Sequence, residues 1–159
     1  MSKKIKGVVL GFATVLVLGG LSSFYFNKPK SNEVYNIGDT VQLNNHNLVV
    51  NSVKTSMGNE KDRPQQGNEF VILNVTLENN SNKEMNYNPY NFQITNSEGD
   101  VKDRTFTAID GKEALNNGVL APGEKVTGTI VVQEPIGDKD LKLHYTPNIF
   151  KNTGVTVDL

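Results

Sequence analysis

Two imidazoles, a scatter of carboxylates and one aromatic loop are the side chains of this 159-residue chain whose types suit chemistry. His46 lies in a turn spanning residues 44–47. His144 alternates with Lys142 on a strand whose other face carries Leu141, Leu143 and Tyr145, which predicts that it faces solvent. No Ser stands in a strand-to-helix elbow, so neither histidine finds a nucleophile to activate. The chain contains no cysteine, which excludes disulfides, thiolate zinc sites, iron–sulfur clusters and a thiol nucleophile together. Glu98, Asp100 and Asp103, and separately Asp138 and Asp140, place oxygens at alternate positions that suit a hard cation such as calcium. Neither stretch has the Gly and terminal Glu spacing of a helix-loop-helix calcium site, and turn formation explains both. The reading is therefore of no catalytic residue, no metal ligand and no cofactor.

The loop 85–92 (MNYNPYNF) gathers Tyr87, Tyr90 and Phe92 among asparagines around Pro89. Tyr87, Asn88 and Tyr90 form a candidate partner-contact loop. Rigid aromatics bury area at low entropic cost and Asn both donates and accepts, so such a loop can stack on a sugar or clamp a peptide. The competing reading, which the composition favours, is a connector whose Phe92 plugs the core while Pro89 fixes the bend. Asn74-Val-Thr76 and Asn79-Asn-Ser81 fit glycosylation acceptors, relevant only in a host that performs that chemistry.

Charge removes another class of function. The lysines at 3, 4, 6, 28 and 30 cluster near the N-terminus, and without them 11 Lys and Arg face 17 Asp and Glu, a net charge of minus 6 from Ser31 onward. Nucleic-acid binding needs cations that displace counterions from phosphates, so it is set aside.

The N-terminal lysines flank a run from Gly7 to Phe26 (GVVLGFATVLVLGGLSSFYF) that holds no charge over its twenty residues. That length matches the roughly 20 helical residues that cross a hydrocarbon core. Lys3, Lys4 and Lys6 precede it, as the positive-inside bias requires, and Phe24, Tyr25 and Phe26 sit where rings favour the headgroups. The expected organisation is a cytoplasmic basic tip (1–6), a single-pass membrane anchor (7–26), a spacer (27–33) and an extracellular domain (34–159). Cleavage of the run as a signal peptide after Ser22 or Ser23, giving a secreted protein, is the alternative.

Behind the anchor, short β-like runs broken by turn residues predict an all-β antiparallel sandwich. Strands are expected at 34–37 with 40–43, 48–55, 68–78, 91–95, 101–107, 125–134, 141–145 and 155–158. Val71, Leu73, Val75 and Leu77 share one face, which predicts a central strand. In the inward set Val126, Gly128, Ile130 and Val132, the glycine predicts close approach by a neighbour. Ser97-Glu98-Gly99-Asp100 predicts a hairpin turn. Residues 108–123 form one long connection, of a length that is often functional but that in a Greek key also serves simply to cross between sheets.

Three stretches carry a resemblance: residues 67–79 (GNEFVILNVTLEN), Phe92 to Gly99, and residues 120–135 (LAPGEKVTGTIVVQEP). Together they resemble a family of immunoglobulin-like domains of unknown function in Gram-positive surface lipoproteins, grouped with a mycobacterial immunoprotective secreted antigen. The resemblance runs from Tyr35 to Tyr145 and implies an immunoglobulin-like β-sandwich, an extracytoplasmic location and a role in binding or assembly. It implies no enzyme and carries over no functional residue. Lipoproteins of that kind end their signal in a lipidated cysteine; this chain has none, which favours a spanning anchor. The expectation is thus a non-catalytic envelope module that contacts another envelope protein or a wall component. A carrier of a small ligand ranks second and a hydrolase a distant third. The oligomeric state is not legible.

Overall fold

The alternation at residues 71–77 marks the centre of the molecule. The computed structural model describes residues 34–147 and 154–159. Its strands are β1 (Val34–Asn36), β2 (Thr40–Gln42), β3 (His46–Ser56), β4 (Asn68–Asn79), β5 (Met85–Tyr87), β6 (Phe92–Thr95), β7 (Val101–Lys102), β8 (Gly118–Leu120), β9 (Lys125–Pro135), β10 (Lys142–Tyr145) and β11 (Val155–Asp158). One sheet runs β2-β3-β4-β9, a second β1-β11-β10-β6-β7, and β5 pairs with β8 as a separate ribbon. The strand pairs are antiparallel except β1 with β11. The chain leaves the first sheet after β4, enters the second at β6, returns at β9 and crosses again to β10. These crossings make an immunoglobulin-like β-sandwich.

Burial follows the pleat. β4 turns Val71, Leu73, Val75 and Leu77 inward, each at most 1% exposed, between β3 and β9. Facing them from the second sheet are Phe92, Ile94, Leu143, Tyr145, Val155 and Val157, all in one apolar cluster with Met85, Leu115 and Leu120. The outward face is polar: Asn51 donates to Asn74 at 2.7 Å and to Thr76 at 2.9 Å, and Thr76 meets Thr127 at 2.8 Å. Asn51 is the extra residue of a bulge, where the β3–β4 register shifts between Val50 and Ser52.

The close approach expected at Gly128 comes from the crossover. A Cβ there would stand 2.9 Å from the Cα of Leu115, whose N–H bonds to the Thr129 carbonyl at 2.9 Å. Ten residues earlier Thr105 N–H reaches the Val131 carbonyl at 2.6 Å. The segment 103–117 thus covers the outer edge of β9, which would otherwise present unpaired backbone groups. The turn at 96–100 also forms: Gly99 has φ 86°, and Asn96 accepts from the N–H groups of Glu98 and Asp100.

Four expectations change. β3 begins at His46, two residues before the expected start, so His46 belongs to a strand and not to the turn. The strand expected over 101–107 ends at Lys102, because the chain there leaves β6 for the edge of β9. The connection 108–123 and the loop 85–92 each contribute a short strand to the β5–β8 ribbon. Asn79, read as a glycosylation acceptor, is 0% exposed and hydrogen-bonded, so the fold closes that site. The basic tip, membrane run and spacer lie outside the described residues, among which no helix is long and apolar enough to cross a membrane.

Candidate binding surface at the Tyr90 loop

Local sequence explains the shape of the loop 88–92. Asn88 caps a 3-10 turn over Pro89–Asn91, its Oδ1 accepting the Tyr90 N–H at 2.9 Å, and Pro89 supplies the fixed φ of a first helical position. Phe92 follows at 0% exposure, its ring centroid 4.6 Å from that of Tyr145. With Phe92 buried and Pro89 inside, Tyr90 projects outward at 53% exposure. Both readings of the loop therefore meet: its apolar members are a connector, and Tyr90 is free to touch a partner.

Tyr90 has company that the sequence did not suggest. Phe106 is 75% exposed and meets Tyr90 edge-on, with centroids 6.5 Å apart and planes at 62°. The guanidinium of Arg104 lies 5.0 Å from the Phe106 centroid and 6.0 Å from that of Tyr90, while Nη1 donates to the Leu115 carbonyl at 3.5 Å. Each cation–π contact at such a surface is worth about 0.5–1 kcal/mol. A ring as exposed as Phe106 gives up most of the roughly 1.5–3 kcal/mol that burying it would contribute, so the core is not what holds it there. Alternation of Arg104 and Phe106 was the one signal available, and it reads equally as an ordinary strand.

The β5–β8 ribbon, with the turn that carries Tyr90, opens a cleft of about 370 Å³ whose lining includes Asn86, Tyr87, Asn88, Asn91, Asn117 and Gly118. The Tyr87 ring lies directly over Gly118, so a Cβ there would push the ring aside. Tyr87 and Asn88 thus line the cleft, while Tyr90 does not line it but lies on the turn between the lining residues Asn88 and Asn91. No carboxylate or imidazole lines this cleft.

The remaining titratable candidates have structural posts. His46 is 3% exposed, with Nε2 3.1 Å from the Tyr145 hydroxyl and Nδ1 3.0 Å from Asn45 Oδ1. Burial lowers its pKa to about 4 and raises that of Tyr145. His144 lies on the outer face with Lys142 as expected, half-buried there with Nδ1 3.1 Å from Thr156 Oγ1; burial, then Lys142, lowers its pKa. Asp138 accepts from the Ser97 hydroxyl and N–H, which lower its pKa, and Asp103 accepts from Gln93. Asp100 pairs with Lys102 at 3.2 Å. Among the described residues no three such side chains converge on a metal position.

Residues 35–155 match the family model described as a domain of unknown function, DUF4352. The chain belongs to the DUF4352 family. All three resembling stretches fall inside that match. This DUF4352 chain is 25% identical over 128 residues to the uncharacterized lipoprotein YjhA of Bacillus subtilis, covering 74% of this chain and 59% of that protein. It therefore spans about three fifths of that relative's length. The crystal structure of the Bacillus subtilis yjhA protein superposes with a TM-score of 0.63 at 26% identity, over 79% of this chain and 98% of that one. The secreted protein MPT63 of Mycobacterium tuberculosis superposes with a TM-score of 0.58 at 12% identity, over 80% of this chain and 97% of that one, a likeness of fold.

Proposed function

We propose that this protein is a non-catalytic binding or assembly module of the bacterial cell envelope, held outside the membrane by residues 7–26. Its contact face is the surface around Tyr87, Asn88 and Tyr90, and its partner is an envelope protein or wall component. The observation that carries the contact face is the Tyr90–Phe106–Arg104 cluster, two exposed rings organised by a cation where the core gains nothing from them. The non-catalytic reading is supported by the cleft beside it, whose lining offers neither a general base nor a nucleophile paired with one. A surface location is supported by the lipoprotein relative. The 159 residues contain no cysteine to carry a lipid, so the uncharged run serves as the anchor.

Mass spectrometry of the mature protein from membranes, with protease added to intact cells, tests the placement. The expected result is an intact N-terminus on a membrane-retained chain whose domain is cut from outside. An N-terminus at Ser23 or Phe24 overturns the anchor. Photo-crosslinking from position 90 on intact cells tests the contact face, which fails if position 90 captures nothing while a probe on the polar β4 face does.

A further inference from the structure

We propose that the cleft lined by the β5–β8 ribbon binds an uncharged glycan, with Tyr90, on the turn between the lining residues Asn88 and Asn91, and its ring partner Phe106 as the stacking platform. This deepens the contact-face reading and rests on it. Charged residues make up 21% of the chain, yet none lines this cleft. Four asparagines supply its polarity, and each amide brings two donors and an acceptor oxygen.

Much of that capacity is unspent. Among the described residues no hydrogen bond engages the side chains of Asn86 and Asn117. Free amide hydrogens also remain on Asn88, whose Oδ1 alone is used, and Asn91 keeps its Oδ1 while its amide donates to Pro147 at 3.4 Å.

 The cleft therefore presents neutral donors and acceptors side by side, the complement of hydroxyl and acetamido groups, which are themselves both.

The ring pair supplies the apolar half of the contact. Pyranose rings expose C–H faces that pack on aromatic rings, and Phe106 and Tyr90 are 75% and 53% exposed. Arg104 holds the two rings in place before anything binds, which lowers the entropic cost of ordering them. The volume of about 370 Å³ falls in the size class of small-ligand sites, roughly 300–1,000 Å³. A phosphodiester wall polymer is disfavoured, because the part from Ser31 onward carries a net minus 6 and would repel it.

The test is calorimetric titration of the full-length chain in a sugar-free detergent. The probes are the linear tetramers of N-acetylglucosamine and of glucose, with a tetramer of galacturonic acid as the charged contrast. A neutral tetramer is expected to bind saturably, with an affinity that changes less than about twofold between about 0.05 and about 0.5 M salt. Tyr90→Ala and Asn117→Ala, both at exposed positions, are expected to weaken it by roughly tenfold or more with unchanged melting. No saturable binding of either neutral tetramer, binding that both variants retain, or preference for the acidic tetramer overturns the glycan assignment. If position 90 still crosslinks to an envelope protein on cells, the contact face survives and its ligand is a polypeptide. If position 90 captures nothing and no tetramer binds, both readings fall.

Discussion

Asn79 donates its side-chain amide to the carbonyl of Leu120 at 2.9 Å, across 41 residues of sequence and out of reach of solvent. The same amide donates to Lys83 at 2.7 Å, and its Oδ1 accepts from the N–H and hydroxyl of Ser81. One side chain thus ties the end of β4 to the approaches of both β5 and β8, the two strands that wall the cleft.

Replacing Asn79 by Ala leaves the buried Leu120 carbonyl and the Ser81 N–H without that partner, while the Lys83 carbonyl keeps the Ser81 hydroxyl. The expected loss is about 2–3 kcal/mol, since each buried group left unpaired costs roughly 1–3 kcal/mol. Urea denaturation measures it. Asn74→Ala, on the solvated face of the same strand, is the control and is expected to cost less than about 1 kcal/mol. Equal losses would show that Asn79 is not the tie described.

His46 makes the fold sensitive to acid. Its pKa is lowered by burial from 6.5 to about 4, so the unfolded chain takes up a proton at a pH where the folded one does not. The associated stability is complete above the unfolded value and is lost as pH falls from about 6.5 towards 4, up to about 3 kcal/mol at roughly 1.4 kcal/mol per unit. His46→Gln keeps a hydrogen-bonding group near the Tyr145 hydroxyl and is expected to flatten stability over that window. His144 is shifted the same way, so His144→Gln serves to separate its share.

Glu134 acts in the opposite sense. It faces inward at 0% exposure, Oε2 accepting from Asn96 at 3.2 Å and Oε1 without any partner. Burial raises its pKa, with Asn96 and Lys102 pulling the other way. A raised carboxyl contributes stability that is present below its unfolded value and lost as pH rises through the folded one. Glu134→Gln, which cannot ionise, is therefore expected to gain on the wild type as pH rises above the ordinary carboxyl value of 4.5. A constant difference across that range would show that the carboxyl does not titrate in the fold.

The parts of this fold legible in sequence are those written in local spacing. Period-2 alternation located β4, the Gly99 turn located the β6–β7 hairpin, and Gly128 predicted a close neighbour without naming it. What stayed hidden depends on contacts between distant residues. A histidine among asparagines reads as a turn until Tyr145 comes to meet it, 99 residues on. The strands β5 and β8 have three residues each, too few to show a period, and exist because they pair with each other. For the proposed surface, composition pointed to Tyr87, Asn88 and Tyr90. It could not identify Arg104 and Phe106, because nothing local distinguishes an aromatic ring bound for solvent from one bound for the core.

Gly128 and Leu115 connect core packing to that surface. A Cβ at position 128 would lie 2.9 Å from Leu115 Cα and 3.0 Å from both its N and Cβ, so backbone and not a mobile side-chain tip must give way. Gly128→Ala is expected to cost about 1–3 kcal/mol, as overpacking does. Leu115 also receives the Arg104 guanidinium on its carbonyl, so displacing it withdraws the support beneath the Tyr90–Phe106 pair. The variant is therefore expected to cut faster than wild type within residues 103–117 under limited proteolysis, and to quench differently at Tyr90. Phe106→Ala removes a ring that is 75% exposed and is expected to change stability by less than about 0.5 kcal/mol. If Phe106→Ala proved as costly as Gly128→Ala, the ring would be part of the packing, and the case for a surface kept open for a partner would fail with it.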